Sequence, residues 1–248
     1  SRLALQGGPV RLVFVGDVML SRGVDWQMRK NKDFRHPFLR AADYLREADL
    51  AFGNLEGPIS SRGRDQGSIY SFRADPRVVE GLRFAGFDAM SLANNHILDW
   101  GGEALSDTVR ILEENGIRAV GAGTNYSEAN QSTVLEVKGM KLAFLAYTNL
   151  YPKNLAAGTS TAGVSDFDLA KIEKTIASVK GRVDMVVVSM HWGEEYRSTS
   201  SVGQQEIGRA LIDSGVDLVV GHHPHVVQEV ENYKSGWIIY SLGNFVFD

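Results

Sequence analysis

Short runs of β-branched and apolar residues alternate along the chain with longer stretches in which apolar residues recur every three or four positions. Runs of the first kind suit buried strands, and stretches of the second kind suit helices with one face on a sheet. The pattern predicts strands at 10–16, 50–53, 89–93, 142–147, 185–190, 218–220, 226–231 and 237–242. It predicts helices at 37–48, 76–85, 102–115, 166–179 and 202–214, with Asn115-Gly116 and Ser214-Gly215 as helix stops. Strands and helices in this order specify an α/β fold, a mixed or parallel sheet covered by helices. Segments 60–67 and 151–163, rich in Ser and Gly, follow neither period and read as long loops of a kind that either borders a site or crosses the surface.

No repeat, low-complexity tract or linker divides the 248 residues, so the expectation is one domain over 1–248. A net charge of -4 gives no electrostatic footprint for nucleic acid, which draws clustered Lys and Arg. With no cysteine in the sequence, disulfides, thiolate metal sites and cysteine nucleophiles are excluded, and any metal needs oxygen and nitrogen ligands. No apolar run reaches the roughly 20 residues of a membrane span, and the first nine residues do not read as a secretory leader.

The chemistry collects at the strand ends. Asp17 follows the first strand; Asn54 and Glu56 follow the second; Asn94, Asn95 and His96 follow the third; His191 follows a later one; His222, His223 and His225 follow another. Ligands bind outside the carboxyl ends of strands in open α/β sheets, so these distant residues are expected to converge. Singly, each has a plainer reading: Asp17 as a cap, Asn94-Asn95 as left-handed turn residues, His191 as a satisfied core imidazole, Glu56 as a solvated carboxylate. Three imidazoles within four residues are harder to assign to packing and point to a metal. Carboxylates, an Asn carbonyl and imidazoles suit Mn²⁺, Fe²⁺ or Zn²⁺, and a bridging carboxylate flanked by imidazoles suits one or two ions doing hydrolytic or transfer chemistry.

The stretches FVGDVMLSRGVD, LAFGNLEGPIS, DAMSLANNHILDWG, VVVSMHWGEEY, LIDSGVDLVVGHHPHVVQEVE and IIYSLGNFVFD resemble the CapA family of poly-γ-glutamate capsule biosynthesis proteins. That family is similar to the calcineurin-like metallophosphatases, which implies a four-layer αββα sandwich with two central mixed sheets. The resemblance puts Asp17 at the first metal carboxylate, Asn54 or Glu56 at the bridging position, Asn95 among the ligands, and His96 as an acid or transition-state contact. It puts His191 and the His223-Pro224-His225 pair among the ligands as well, with His222 where the metallophosphatases carry glycine. Two positions depart from the pattern: Met19 stands where a histidine is usual, and an Asn-x-Glu replaces the bridging aspartate.

Arg22, Arg73, Glu194, Glu195, Tyr196 and Arg197 adjoin these motifs and, with His222, are candidates for holding an anionic substrate, while Ser241 to Asn244 reads as a structural turn. Three functions follow. The first is a metal-dependent enzyme of poly-γ-glutamate biosynthesis or processing. The second is a metal-dependent phosphomonoesterase or phosphodiesterase, and the third is a non-catalytic capsule assembly or export component. By resemblance the expected partners are poly-γ-glutamate or another anionic substrate and a membrane-bound capsule synthesis complex, with the parent protein at the extracytoplasmic face of the cell membrane.

Overall fold

Two sheets form the centre of the computed structural model, which describes residues 8–150 and 155–248. The expectations for the first seven residues and for 151–154 of the long loop lie outside the described residues. In chain order the elements are β1 (Leu12–Val18), α1 (Arg22–Asn31), α2 (Ala42–Arg46), β2 (Leu50–Leu55), α3 (Val79–Ala85), β3 (Ala89–Ser91), α4 (Gly101–Glu114), β4 (Arg118–Val120), β5 (Ala122–Gly123) and α5 (Tyr126–Asn130). They continue with β6 (Thr133–Val137), β7 (Met140–Thr148), β8 (Gly163–Val164), α6 (Leu169–Lys180), β9 (Met185–His191), α7 (Val202–Asp213), β10 (Leu218–His222), β11 (Val230–Tyr233), β12 (Gly236–Ile239) and β13 (Asn244–Val246).

The first sheet has the order β13-β1-β2-β3-β4 and is parallel at every pairing. The second, β11-β12-β10-β9-β7-β6, is mixed: its centre is parallel, and β11 and β6 close its two edges antiparallel. Leu50, Phe52 and Val120 of the first sheet share a buried cluster with Leu142, Phe144, Val187 and Val220 of the second. The Phe52 and Phe144 rings stack there with centroids 5.3 Å apart. Each such buried ring contributes roughly 1.5–3 kcal/mol of transfer free energy. On its other face the first sheet carries Val24, Leu82 and Leu105 of α1, α3 and α4. The second carries Ile172, Ile176 and Leu211 of α6 and α7. The layers are therefore helix, sheet, sheet, helix.

Most expected elements are present, with three differences. The helix expected at 37–48 is broken into a 3-10 turn at His36–Phe38 and the short α2. The strand expected at 226–231 begins only at Val230, and Val227 makes an isolated bridge to Leu242. Seven further elements, α1, β4, β5, α5, β6, β8 and β13, lie where no element was expected. The β6–β7 hairpin turns through Lys138 and Gly139 at φ 48° and 81°, the left-handed pair a two-residue hairpin requires.

Candidate metal centre

Side-chain parity brings the donors together. On β2, Leu50 and Phe52 face the opposing sheet, so Asn54 does too; on β9 and β10, Val187 and Val220 face it, and so do His191 and His222. On β1 the same count would turn Asp17 the wrong way, onto the helix-facing side with Val13 and Val15. A bulge corrects it: Phe14 pairs with Phe52 but Asp17 with Asn54, so β1 spends one residue more than β2. Gly16 makes the bulge possible, because a Cβ there would stand 1.8 Å from the Gly243 carbonyl oxygen. The Asp17 N–H donates to that same oxygen at 2.9 Å.

Around Asp17 the polar groups interlock. Asn54 Nδ2 donates to Asp17 Oδ1 at 2.9 Å and to Glu56 Oε2 at 2.5 Å. Asn94 Nδ2 in turn donates to Asn54 Oδ1 at 3.1 Å and to the Leu55 carbonyl at 2.7 Å. Both Asn54 side-chain atoms thus have hydrogen-bond partners, and Glu56 is the carboxylate facing His191. Asn94 and Asn95 are not left-handed; the Asn94 side-chain Oδ1 instead accepts from the His96 and Ile97 amides. Asn95 Oδ1 lies 2.8 Å from His191 Nε2, which is 3.6 Å from Glu56 Oε1. Asp17 has His222 Nδ1 at 3.5 Å on one oxygen, and His225 Nδ1 at 3.4 Å and the His223 amide at 3.3 Å on the other. His223 and His225 hold φ of 96° and 60°, costly for residues with a Cβ and sustained by the packing around the turn.

The donor set fits a divalent cation. Glu56, His191 and His223 are buried, and one ligand atom from each lies within 4.8 Å of the others. Two ligands of one ion with bonds of about 2.0–2.2 Å sit at most about 4.4 Å apart, so little adjustment closes the group. Glu56 Oε1, the Nδ1 atoms of His191 and His223, and both ring nitrogens of His222 are buried without a hydrogen-bond partner. A buried polar atom left unpaired costs about 1–3 kcal/mol, so this cluster of them has the character of a ligand cradle.

Charge follows burial here. Burial and the Asp17 charge push the Glu56 carboxyl well above the usual carboxylate range. Burial would raise Asp17 as well, but hydrogen bonds from His222 and His225 hold it well below that range. Burial lowers His191 far below an ordinary imidazole and brings His223 down to about 4. Burial also opposes charge on His225, yet its contact with Asp17 raises it. His191 and His223 are consequently neutral at pH 7 and keep a nitrogen lone pair, the form that binds metal.

Beside the cradle opens a cleft of about 350 Å³ lined by Arg22, Tyr70, Phe72, His96, Glu195, Tyr196, His225, Asn244, Phe247 and Asp248. His96 Nδ1 lies 2.7 Å from Asp99 Oδ2, and Asp99 is fixed by the Phe72 amide at 2.8 Å and Ser68 Oγ at 2.7 Å. His96 Nε2 is then the nitrogen free for the cleft. Arg22 stands 3.1 Å from Asp248, with its guanidinium 5.5 Å from the Phe72 ring centre.

Three of the substrate candidates, Arg73, Glu194 and Arg197, fall elsewhere. Arg73 lies over the Trp100 ring at 3.4 Å, and Glu194 pairs with Arg197 at 3.1 Å on a separate hollow with Ser200 and Gln204. Met19 is fully buried in the helix-side core, its sulfur accepting from the Ser21 amide at 3.2 Å and hydroxyl at 3.1 Å. Asp99 was not among the candidate site residues, and Asn244, whose Oδ1 is 2.8 Å from His225 Nδ1, fell in the turn read as structural. Asp99 had a signal: a carboxylate three residues after His96, close enough to meet it across one turn.

Four layers with donors at the carboxyl ends of both sheets define a metallophosphatase-like fold. The chain superposes on a hypothetical protein from Thermus thermophilus with a TM-score of 0.59 at 21% identity, over 94% of this chain and 76% of that one. It superposes on a 5'-nucleotidase precursor from the same organism with a TM-score of 0.56 at 15% identity, over 96% and 49%. At these identities the likeness is one of fold alone. The chain belongs to the family described as bacterial capsule synthesis protein PGA_cap, which matches residues 11–248. The capsule biosynthesis protein CapA of Bacillus anthracis is 34% identical to it over 245 residues, 96% of this chain and 59% of the relative. The PGA biosynthesis protein CapA of Bacillus subtilis (strain 168) is 34% identical over 238 residues, 95% of this chain and 62% of the relative. The chain thus spans about three fifths of the length of these two relatives.

Proposed function

We propose that this chain is a metal-dependent enzyme domain of poly-γ-glutamate capsule biosynthesis or processing, acting as one unit over its length on the anionic polymer or a precursor. The observation that carries this reading is the buried Glu56–His191–His223 group beside a cleft that presents His225, His96 and Arg22. The names of the two relatives, a capsule biosynthesis protein and a PGA biosynthesis protein, support the capsule setting.

Glu56, Asn95, His191 and His223 would hold a divalent ion, Mn²⁺, Fe²⁺ or Zn²⁺, with Asp17 and His225 alongside for a second. Such an ion acidifies a bound water toward neutral pH and offsets negative charge developing on the substrate. The chain's own groups do the rest. His96, held by Asp99 with Nε2 toward the cleft, is placed to move a proton to or from the reacting group. Arg22 is placed to bind a substrate carboxylate, and Tyr70 and Tyr196 form the walls. The proposed setting is the extracytoplasmic face of the cell membrane beside a capsule synthesis complex; nucleic acid is not a partner in this reading.

The test incubates protein reconstituted with each metal with γ-linked glutamate oligomers and with aryl phosphates. Shortened, lengthened or released glutamate species, abolished by His223→Ala, are the expected result. Turnover of aryl phosphate alone, lost with the same substitution, would replace this reading with a metallophosphoesterase. Bound metal without turnover of either would make the domain a non-catalytic assembly or export component.

A further inference from the structure

The end of β1 gives the centre a carboxylate but no imidazole, because Met19 is turned into the helix-side core and its sulfur is occupied by Ser21. One side of the cradle, near His225, is correspondingly short of a ligand. The loop after β9 faces that side. Its backbone is held in two left-handed residues, Gly193 at φ 87° and Tyr196 at φ 61°, and the Tyr196 amide is fastened to the Pro224 carbonyl at 2.8 Å. Between these points Glu194 is drawn away to Arg197, while Glu195 is aimed at the imidazoles. Glu195, His223 and His225 each offer an atom within 4.8 Å of the other two. Among the described residues Glu195 has neither an ion-pair partner nor a side-chain hydrogen bond of its own, unlike Glu194 beside it.

We infer that Glu195 is a metal ligand, completing with His225 and His223 a second divalent-cation position at the mouth of the centre, in place of the imidazole that Met19 does not supply. This rests on the metal-centre part of the proposed function, not on the substrate. The two positions differ in kind. Glu56, His191 and His223 are all buried, whereas Glu195 is exposed and His225 half-buried. They also share His223, and one imidazole nitrogen serves one ion. The outer ion therefore has fewer protein ligands once the inner is filled, completes its coordination with water, and exchanges with solvent more readily. The inner position is the tight one and the outer the loose one, filled or emptied by the free concentration of the ion.

Titration of metal-free protein with Mn²⁺, followed by calorimetry and by the electron paramagnetic resonance of the free ion, reads both positions without any turnover. The parent is expected to show a tight and a weak class of one ion each. In Glu195→Gln the weak class should disappear from the titrated range while the tight class and the circular dichroism spectrum stay unchanged. Anomalous scattering at the manganese edge should show the weaker ion against Glu195. A single class in the parent, or two classes persisting in Glu195→Gln, would overturn the inference and leave the inner centre standing. A parent that binds no Mn²⁺ at all would sink both.

Discussion

His96 Nδ1 and Asp99 Oδ2 lie 2.7 Å apart at the edge of the cleft, and this contact decides which imidazole nitrogen can reach a substrate. Asp99→Asn removes the charge that fixes the ring, and His96→Asn removes the ring itself. Turnover of whichever substrate is accepted should fall about 10²- to 10⁴-fold in His96→Asn, with a smaller fall in Asp99→Asn, and in both kcat should move more than KM. Because Asp99 also accepts from Ser68 and Phe72, only Asp99→Asn should carry a stability cost, of about 1–3 kcal/mol, in urea unfolding.

The buried carboxyl of Glu56 makes a prediction of definite sign for metal-free protein. Its folded pKa is raised, so what it contributes to stability is present below the ordinary value of 4.5 and lost as pH rises toward the folded value. Glu56→Gln keeps an acceptor for the Asn54 amide but cannot ionise. Its stability relative to the parent should grow from pH 4.5 upward, by at most about 1.4 kcal/mol per pH unit. A variant that unfolds in urea at the parent's midpoint across this range would contradict the burial argument.

His223 acts in the opposite direction. Its folded pKa of about 4 lies below the ordinary 6.5, so the unfolded chain binds the extra proton between these values and stability falls as pH drops through that window. His223→Asn should flatten this part of the pH–stability curve of metal-free protein. It should also abolish the tight metal class, so that the metal-induced rise in melting temperature disappears. In the parent, ion at about 100 times its dissociation constant adds roughly 2.7 kcal/mol, equivalent to roughly 5–10 °C for a chain of this size.

Gly16→Ala should be among the most damaging single-methyl changes in the protein. The added carbon would meet the Gly243 carbonyl at 1.8 Å, and either β13 or the bulge must give way. The expected cost is about 3 kcal/mol or more in equilibrium unfolding, accompanied by loss of metal binding because Asp17 moves with the bulge.

How far these relationships can be read from sequence depends on their range. Parity along β2, β9 and β10 is local, and it is enough to place Asn54, His191 and His222 on one face. The bulge in β1 is not local: nothing in VFVGDV says that the register slips, since that depends on the chain before β13 approaching Gly16 from the far end of the sequence. The same holds for Asn54, whose role depends on Asn94 occupying its carbonyl oxygen, and for Glu194 and Glu195, adjacent in sequence and sent to different hollows by two left-handed residues. Helix α1 went unseen because its buried positions, Val24 and Met28, are only two among polar neighbours. Edge strand β6 was missed because a two-residue turn joins it to a run already read as one strand.

The extra residue in β1 makes an odd-even count into a control on chemistry. Pairing the same residues without the bulge, so that Gly16 rather than Asp17 stood opposite Asn54, would leave every donor in the sequence and most of the packing, yet would turn Asp17 onto the face of Val15. A carboxylate would then press into the helix-side core and a glycine would stand in its place. Relatives that have lost or gained a metal could differ from this chain by the register of one strand and by no ligand at all.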